Sequence, residues 1–196
     1  MMRNYRNVSG HFSIGGRVYA FKSMLEHHWA CVLELCKRYP QLAMAILDHE
    51  VASWEYEPEA LPFDDVDCYD AKDRAPRLRG ILQYRLDFKV TRPDESFIYH
   101  ETKGWMAGPD QTKLRQVRKY YPGRQVLVVI DGMPAGRTIK SAAARRRYDF
   151  LAKLGYGILD ARPIFKSLAG WLEKIGFCFV QSANAQTQAE RESPNE

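Results

Sequence analysis

The chain has no apolar run near the ~20 residues that a bilayer crossing needs, which excludes an integral helical membrane protein. No apolar stretch follows the basic residues of MMRNYRNVSGHF, so no secretory signal is expected. Cysteine is sparse: Cys31, Cys36, Cys68 and Cys178 form no CxxC pair. That spacing argues against a disulfide framework or a zinc site and fits reduced thiols in a cytoplasmic setting. No internal repeat is visible. What is present is core-forming material: 45% hydrophobic and 12% aromatic residues in 196, which excludes wholesale disorder and fits one domain, or one domain with an appendage, more easily than two.

The net charge is +5. The polar segment QSANAQTQAERESPNE (181–196) reads as a disordered tail. It carries −2 (Glu190, Glu192 and Glu196 against Arg191), leaving +7 on residues 1–180. Such a balance hints at an anionic partner but does not identify one.

The body reads as α/β. Residues 21–38 repeat apolar groups at helical spacing (Phe21, Leu25, Trp29, Val32, Leu33, Cys36), and Tyr39-Pro40 ends the run. A short helix over 41–49 and a strand over 51–57, closed by Pro58, follow. Residues 62–79 read as a charged loop. Two strand-like runs, 81–90 and 96–103, flank a turn at Pro93-Asp94 and form a hairpin. A basic amphipathic helix is expected over 109–121, with Pro109 in its first turn. A short apolar run, 124–131, fits a strand buried on both faces. Helices near 137–154 and 163–175 complete the reading. This order suggests a mixed sheet with helices packed on it.

The chemistry-bearing residues cluster on the hairpin. Side chains alternate along a strand, so Glu101 and Lys103 share a face, and the turn brings Asp87 beside them. Glu26, on the first helix, could add a third carboxylate from across the sheet. Converging carboxylates repel unless a cation lies between them. Oxygen-only ligands favour a hard ion, Mg²⁺ or Mn²⁺. Such an ion polarises a phosphoryl oxygen and activates water, while a nearby lysine orients or deprotonates that water or steadies transition-state charge.

A D…ExK match alone is short and common. Here it sits on a predicted hairpin, interrupts apolar strands, and precedes a basic helix. The segment resembles the PD-(D/E)xK nuclease superfamily, with Asp87 as the motif aspartate and Glu101-Thr102-Lys103 as E-x-K. Within that superfamily it is similar to small phage-type endonucleases, and more distantly to junction-resolving phage endonucleases and the nuclease subunit of certain transposases. The likeness spans roughly 20–131. It takes in Ser23-Met24-Leu25-Glu26, like the family's S-x-x-E helix, and Trp54-Glu55-Tyr56-Glu57-Pro58. Tyr84-Arg85-Leu86-Asp87-Phe88, Glu101-Thr102-Lys103-Gly104-Trp105, Lys113-Leu114-Arg115 and Tyr120-Tyr121-Pro122 complete it. Leu86 stands where the family often has proline, which ligates nothing.

The resemblance implies a restriction-endonuclease-like αβββαβ core, Mg²⁺ dependence (Mn²⁺ can substitute in such sites) and DNA cleavage. The expected organisation is a single nuclease-like domain over 1–180, with its core at about 20–131 and a helical extension over 132–180. Asp87 and Glu101 would hold the metal, Glu26 would complete or support the site, and Lys103 would assist the water. An acidic loop, 64–73, is inserted before the motif strand.

Candidate DNA contacts are Lys113, Arg115, Arg118 and Lys119 on one helix, and Arg137, Lys140, Arg145, Arg146 and Arg147 further on. The competing reading for each is a solvated helix face. Trp105 either stacks on an unpaired base or packs. His27 and His28 either approach the site or serve the core, and His100 should face away from it. Glu57 and Glu59 could support the site without ligating. Competing functions are a non-catalytic nucleic-acid-binding protein on a nuclease scaffold, and a subunit that cuts only with recombination or packaging partners. Symmetric cutting of both strands would need a homodimer.

Overall fold

The structure is a computed structural model that describes residues 10–63, 83–104, 106, 108–132 and 139–174. The acidic loop 64–73, Trp105, Arg137, the tail 181–196 and the side chains of Lys140 and Arg147 lie outside the described residues.

The described residues open with a hairpin that the sequence reading did not anticipate. β1 (Gly10–Ile14) and β2 (Arg17–Phe21) pair antiparallel, Ile14 opposite Arg17. The two-residue turn between them is Gly15-Gly16, at φ +58° and +81°, a conformation glycine adopts without steric cost. Phe21 therefore belongs to a strand, and the first helix starts later than expected. α1 (Met24–Arg38) begins where the extended Ser23 accepts a hydrogen bond from the Glu26 amide through its hydroxyl. Every residue from Leu25 to Cys36 is buried. A helix buried all round must be covered on all sides. The hairpin, the sheet and α2 (Pro40–Leu47) supply that cover. Pro40 opens α2, and Asp48 closes it in the left-handed region at φ +60°.

The central sheet has five strands, which lie side by side in the following order. They are β3 (Ser53–Tyr56), β6 (Phe88–Thr91), β7 (Phe97–Lys103), β8 (Val126–Ile130) and β9 (Gly157–Asp160). The β3/β6 and β6/β7 pairs are antiparallel, and the β7/β8 and β8/β9 pairs are parallel. α3 (Gly108–Tyr120) connects β7 to β8, α4 (Ile139–Lys153) connects β8 to β9, and α5 (Ala161–Lys174) follows. The protein is thus mixed α/β, as expected. The segment after residue 131 is not only helical, because β9 extends the sheet within it.

A second departure concerns residues 81–90. The structure breaks that run into β6 and a separate β5 (Gln83–Tyr84), which pairs with β4 (Leu61–Pro62). The β3/β6 ladder stops at Tyr56 opposite Phe88. Next along β3, Glu57 turns away at φ +45°, although its amide still donates to the Asp87 carbonyl at 2.7 Å. Losing its strand partner, the chain at Arg85–Asp87 leaves the ladder.

Strand alternation divides the core into two layers. Phe88, Val90 and Val129 pack with α1, Trp54, Leu168 and the hairpin. Tyr99, Val126 and Val128 pack with Leu114 and Val117 of α3, Leu151 of α4, and Leu61, Phe63 and Leu86.

Candidate active site

β7 is the strand where the sheet changes from antiparallel to parallel pairing. Its carboxyl end meets the start of β6, and there the structure gathers the hairpin residues singled out by sequence. Glu101 is wholly buried. The Lys103 ammonium lies 2.6 Å from Glu101 Oε1 and 3.7 Å from Asp110 Oδ1 in the first turn of α3. Asp87 joins through its backbone, its amide donating to Glu101 Oε2 at 3.2 Å. Asp87 Oδ2 accepts from both the Thr102 amide and the Thr102 hydroxyl, each at 2.7 Å.

Burial pushes the Asp87 carboxyl well above the usual carboxylate range. Repulsion from Glu101 and Glu26 acts the same way, against the attraction of Lys103 and the Thr102 hydrogen bond. One ammonium therefore undercompensates the buried negative charge. Burial disfavours the charge on Lys103, yet Glu101 and Asp87 outweigh it and hold its pKa above the ordinary lysine value. Lys103 is an ammonium ion across the physiological range.

Glu26 differs from expectation. Its Oε2 accepts from the Tyr56 hydroxyl at 2.6 Å and the Lys22 amide at 2.9 Å, and its Oε1 accepts from the Ser23 hydroxyl at 3.0 Å. Both oxygens are engaged at the start of α1, reciprocating the cap that Ser23 provides. Among the described residues no three of His, Cys, Asp and Glu converge to form a metal-holding group. Glu26 acts on Asp87 as a neighbouring negative charge.

The donor chemistry still fits a small hard cation. Mg²⁺ is commonly held by one or two carboxylates, with water and substrate phosphate filling its other positions. Asp87 and Glu101 are such a pair, and their uncompensated charge favours a further cation.

Tyr84 is a site residue that sequence reasoning missed. Its hydroxyl donates to Glu101 Oε1 and accepts from Lys103 Nζ at 3.3 Å. Burial and the Glu101 charge push its pKa up, so it stays a neutral donor. Its place three residues before Asp87 was a signal, but an uninterrupted strand over 81–90 hides the bend that turns it inward. Thr102, the variable position of E-x-K, was overlooked as the residue that orients Asp87.

The proposed DNA-binding cations divide. Lys113 Nζ sits 5.2 Å from the centre of the Tyr84 ring, at the edge of the carboxylate–lysine cluster. Arg115 is exposed over Phe150, and Lys119 is exposed beside Tyr120. Arg118 is engaged within the fold. Its guanidinium donates to the carbonyls of Pro122 at 3.1 Å and Gly155 at 2.8 Å and lies over Tyr156. It joins the end of α3 to the turn before β9. Arg145 and Arg146 are exposed on α4.

Three histidines serve the α1 layer. His27 stacks on Phe12, its ring centre 3.9 Å away, and burial lowers its pKa to about 4. His28 packs edge-on to Phe165. His100 faces the α1 layer, where its Nδ1 accepts from Trp29 Nε1 at 3.1 Å. Glu57 pairs with Lys22, and Glu59 accepts from the Tyr99 hydroxyl. Among the described residues no helix is long and apolar enough to cross a membrane. Comparisons with family models, curated proteins and solved structures gave no match to this chain.

Proposed function

We propose that the protein is a divalent-metal-dependent DNA endonuclease of the PD-(D/E)xK type. The observation that carries the reading is the convergence of Asp87, Glu101 and Lys103 at one sheet end, with Lys113 at its margin. With α2, β4 and β5 set aside as additions, the order α1, β3, β6, β7, α3, β8 also supports it, matching the αβββαβ order of restriction-endonuclease-like cores.

The residues divide the work by charge. Asp87 and Glu101 offer oxygen ligands, and Thr102 and Tyr84 hold them in place. Bound Mg²⁺ would supply Lewis acidity at the phosphoryl oxygen and neutralise the two carboxylates. Lys103, held as an ammonium, suits stabilisation of charge growing on the phosphate better than removal of a proton from water. Lys113, Arg115 and Lys119, with Arg145 and Arg146 on α4, provide positive charge for the phosphate backbone.

The test is a panel of labelled DNA substrates (duplex, nicked, flapped and four-way) incubated with Mg²⁺, with Lys103→Ala as the blank. Cleavage by the wild type alone, stopped by EDTA, is the expected result. Cleavage that persists in chelator, or equal cleavage by Lys103→Ala, refutes the reading.

A further inference from the structure

We infer that the open cleft beside Asp87 is a phosphate-binding subsite for the DNA strand, with Lys22 and Arg85 as its cations. Glu57 holds Lys22 until DNA arrives. The inference rests on the nuclease reading above and assigns residues which that reading leaves unused.

The cleft has a volume of about 330 Å³ and is lined by Lys22, Glu57, Ala60, Gln83 and Arg85. Its walls are tied to the catalytic group through the backbone. The Lys22 amide donates to Glu26 at 2.9 Å, and the Glu57 amide donates to the Asp87 carbonyl at 2.7 Å. Arg85 is two residues from Asp87, and Gln83 and Arg85 flank Tyr84. On this inference a strand whose scissile phosphate lies at Asp87 and Glu101 runs a neighbouring phosphate over this cleft.

The charges suit that occupant. Two cations against one carboxylate leave the cleft net positive. Arg85 is exposed, and a guanidinium presents a planar fork of donors that matches phosphate oxygens. Lys22 forms an ion pair with Glu57, and its side chain is 70% exposed. With its own side chain so exposed, Lys22 can exchange the carboxylate for a phosphate at small cost.

Glu57 is held in place by unusual means. Its φ of +45° is sparsely populated by residues other than glycine, and such outliers concentrate at functional sites. The strained turn fixes the carboxylate at the cleft while the amide holds Asp87. Glu57 thus competes with DNA for Lys22, and substitutions on the two sides of the ion pair should act in opposite directions.

The experiment measures binding of a short fluorescein-labelled duplex by anisotropy in EDTA, across a salt series, with cleavage assayed separately in Mg²⁺. Lys22→Ala and Arg85→Ala should each weaken binding severalfold and lower the salt slope by about 1. Glu57→Gln, which keeps the side-chain shape, should tighten binding. If the wild type binds and cuts DNA but Lys22→Ala and Arg85→Ala match it in affinity and slope, the subsite is refuted and the nuclease reading stands. If Glu57→Gln binds no tighter than the wild type, the competition for Lys22 is refuted. If the wild type neither binds nor cuts, both readings fall together.

Discussion

His100 and Glu101 are consecutive on β7, and each is 0% exposed. They face opposite sides of the sheet and meet the cost of burial in opposite ways. His100 points into the α1 layer, where burial lowers its pKa to about 3 and leaves a neutral imidazole bonded to Trp29. Glu101 points to the other side, among Lys103, Tyr84 and the amide of Asp87. On one face a buried imidazole is neutral, and on the other a buried carboxylate is ringed by donors. A buried group that gives up its charge serves packing. A buried group that keeps it needs partners, and at Asp87 those partners fall short.

The strongest way to sharpen this contrast is Asp87→Asn. Cleavage should fall by ~10³-fold or more, the scale on which positioned electrostatic groups act. Stability should move the other way. A carboxyl with a raised folded-state pKa favours the fold at low pH and loses that contribution as pH rises through the raised value. The neutral amide removes this penalty, so Asp87→Asn should melt at a higher temperature than the wild type at pH 8. The gap should shrink as pH falls, as differential scanning calorimetry would show. A lower melting temperature at pH 8 would mean that Asp87 is not under charge strain.

His100→Ala probes the other face. It leaves a cavity and strips Trp29 Nε1 of its acceptor, a loss of ~2–4 kcal/mol in chemical denaturation. The kcat of the folded fraction should be unchanged. A large drop in kcat at full folding would break the comparison by joining the two faces functionally.

Tyr84→Phe keeps the ring beneath Lys113 and removes the hydroxyl between Glu101 and Lys103. A partner of a ligating carboxylate commonly contributes 10–100-fold. We expect a loss of about tenfold in Mg²⁺ affinity by calorimetry, with the melting temperature nearly constant. Unaltered metal affinity would reduce Tyr84 to a packing residue.

A further probe of the same contrast is the acid sensitivity of the α1 layer. Imidazoles whose folded pKa is lowered add nothing above their unfolded value of 6.5. Below it the unfolded state binds the extra protons, so stability is lost as pH falls from 6.5 towards about 4. For the fully buried His100 the slope is on the order of 1.4 kcal/mol per pH unit. The Asp87→Asn background removes the opposing contribution of Asp87, and a flat stability profile there between pH 6.5 and 4 would contradict the assignment of neutral histidines.

What sequence could reveal follows from the range over which each interaction acts. The shared face of Glu101 and Lys103 is a matter of strand period, and the approach of Asp87 needs one turn, so both were legible. The mixed α/β class followed from element order. The role of Glu26 was harder to see because its oxygens are claimed by Tyr56, thirty residues away, as well as by Ser23. Arg118 looks like its neighbours on a basic helix until Gly155 is placed beside it. Gly15-Gly16 between two alternating runs was a hairpin signal in plain view. Phe21, which opens the helical spacing read from the sequence, belongs to the strand by pairing with Gly10.

The antiparallel pairing of β6 with β7 also bears on the order in which the protein assembles. Asp87 and Glu101 are 14 positions apart and joined by a tight turn. Hairpins close within microseconds, whereas contacts across long chain separations form late. Asp87, Glu101 and Lys103 can therefore come together in a wet, early hairpin, where opposite charges find one another at little desolvation cost. Docking of α1 and α3 then dries a group whose pairing is already settled. The Lys103–Glu101 pair is thus settled before burial, and residues 83–103 form a segment whose internal geometry is written almost wholly within itself.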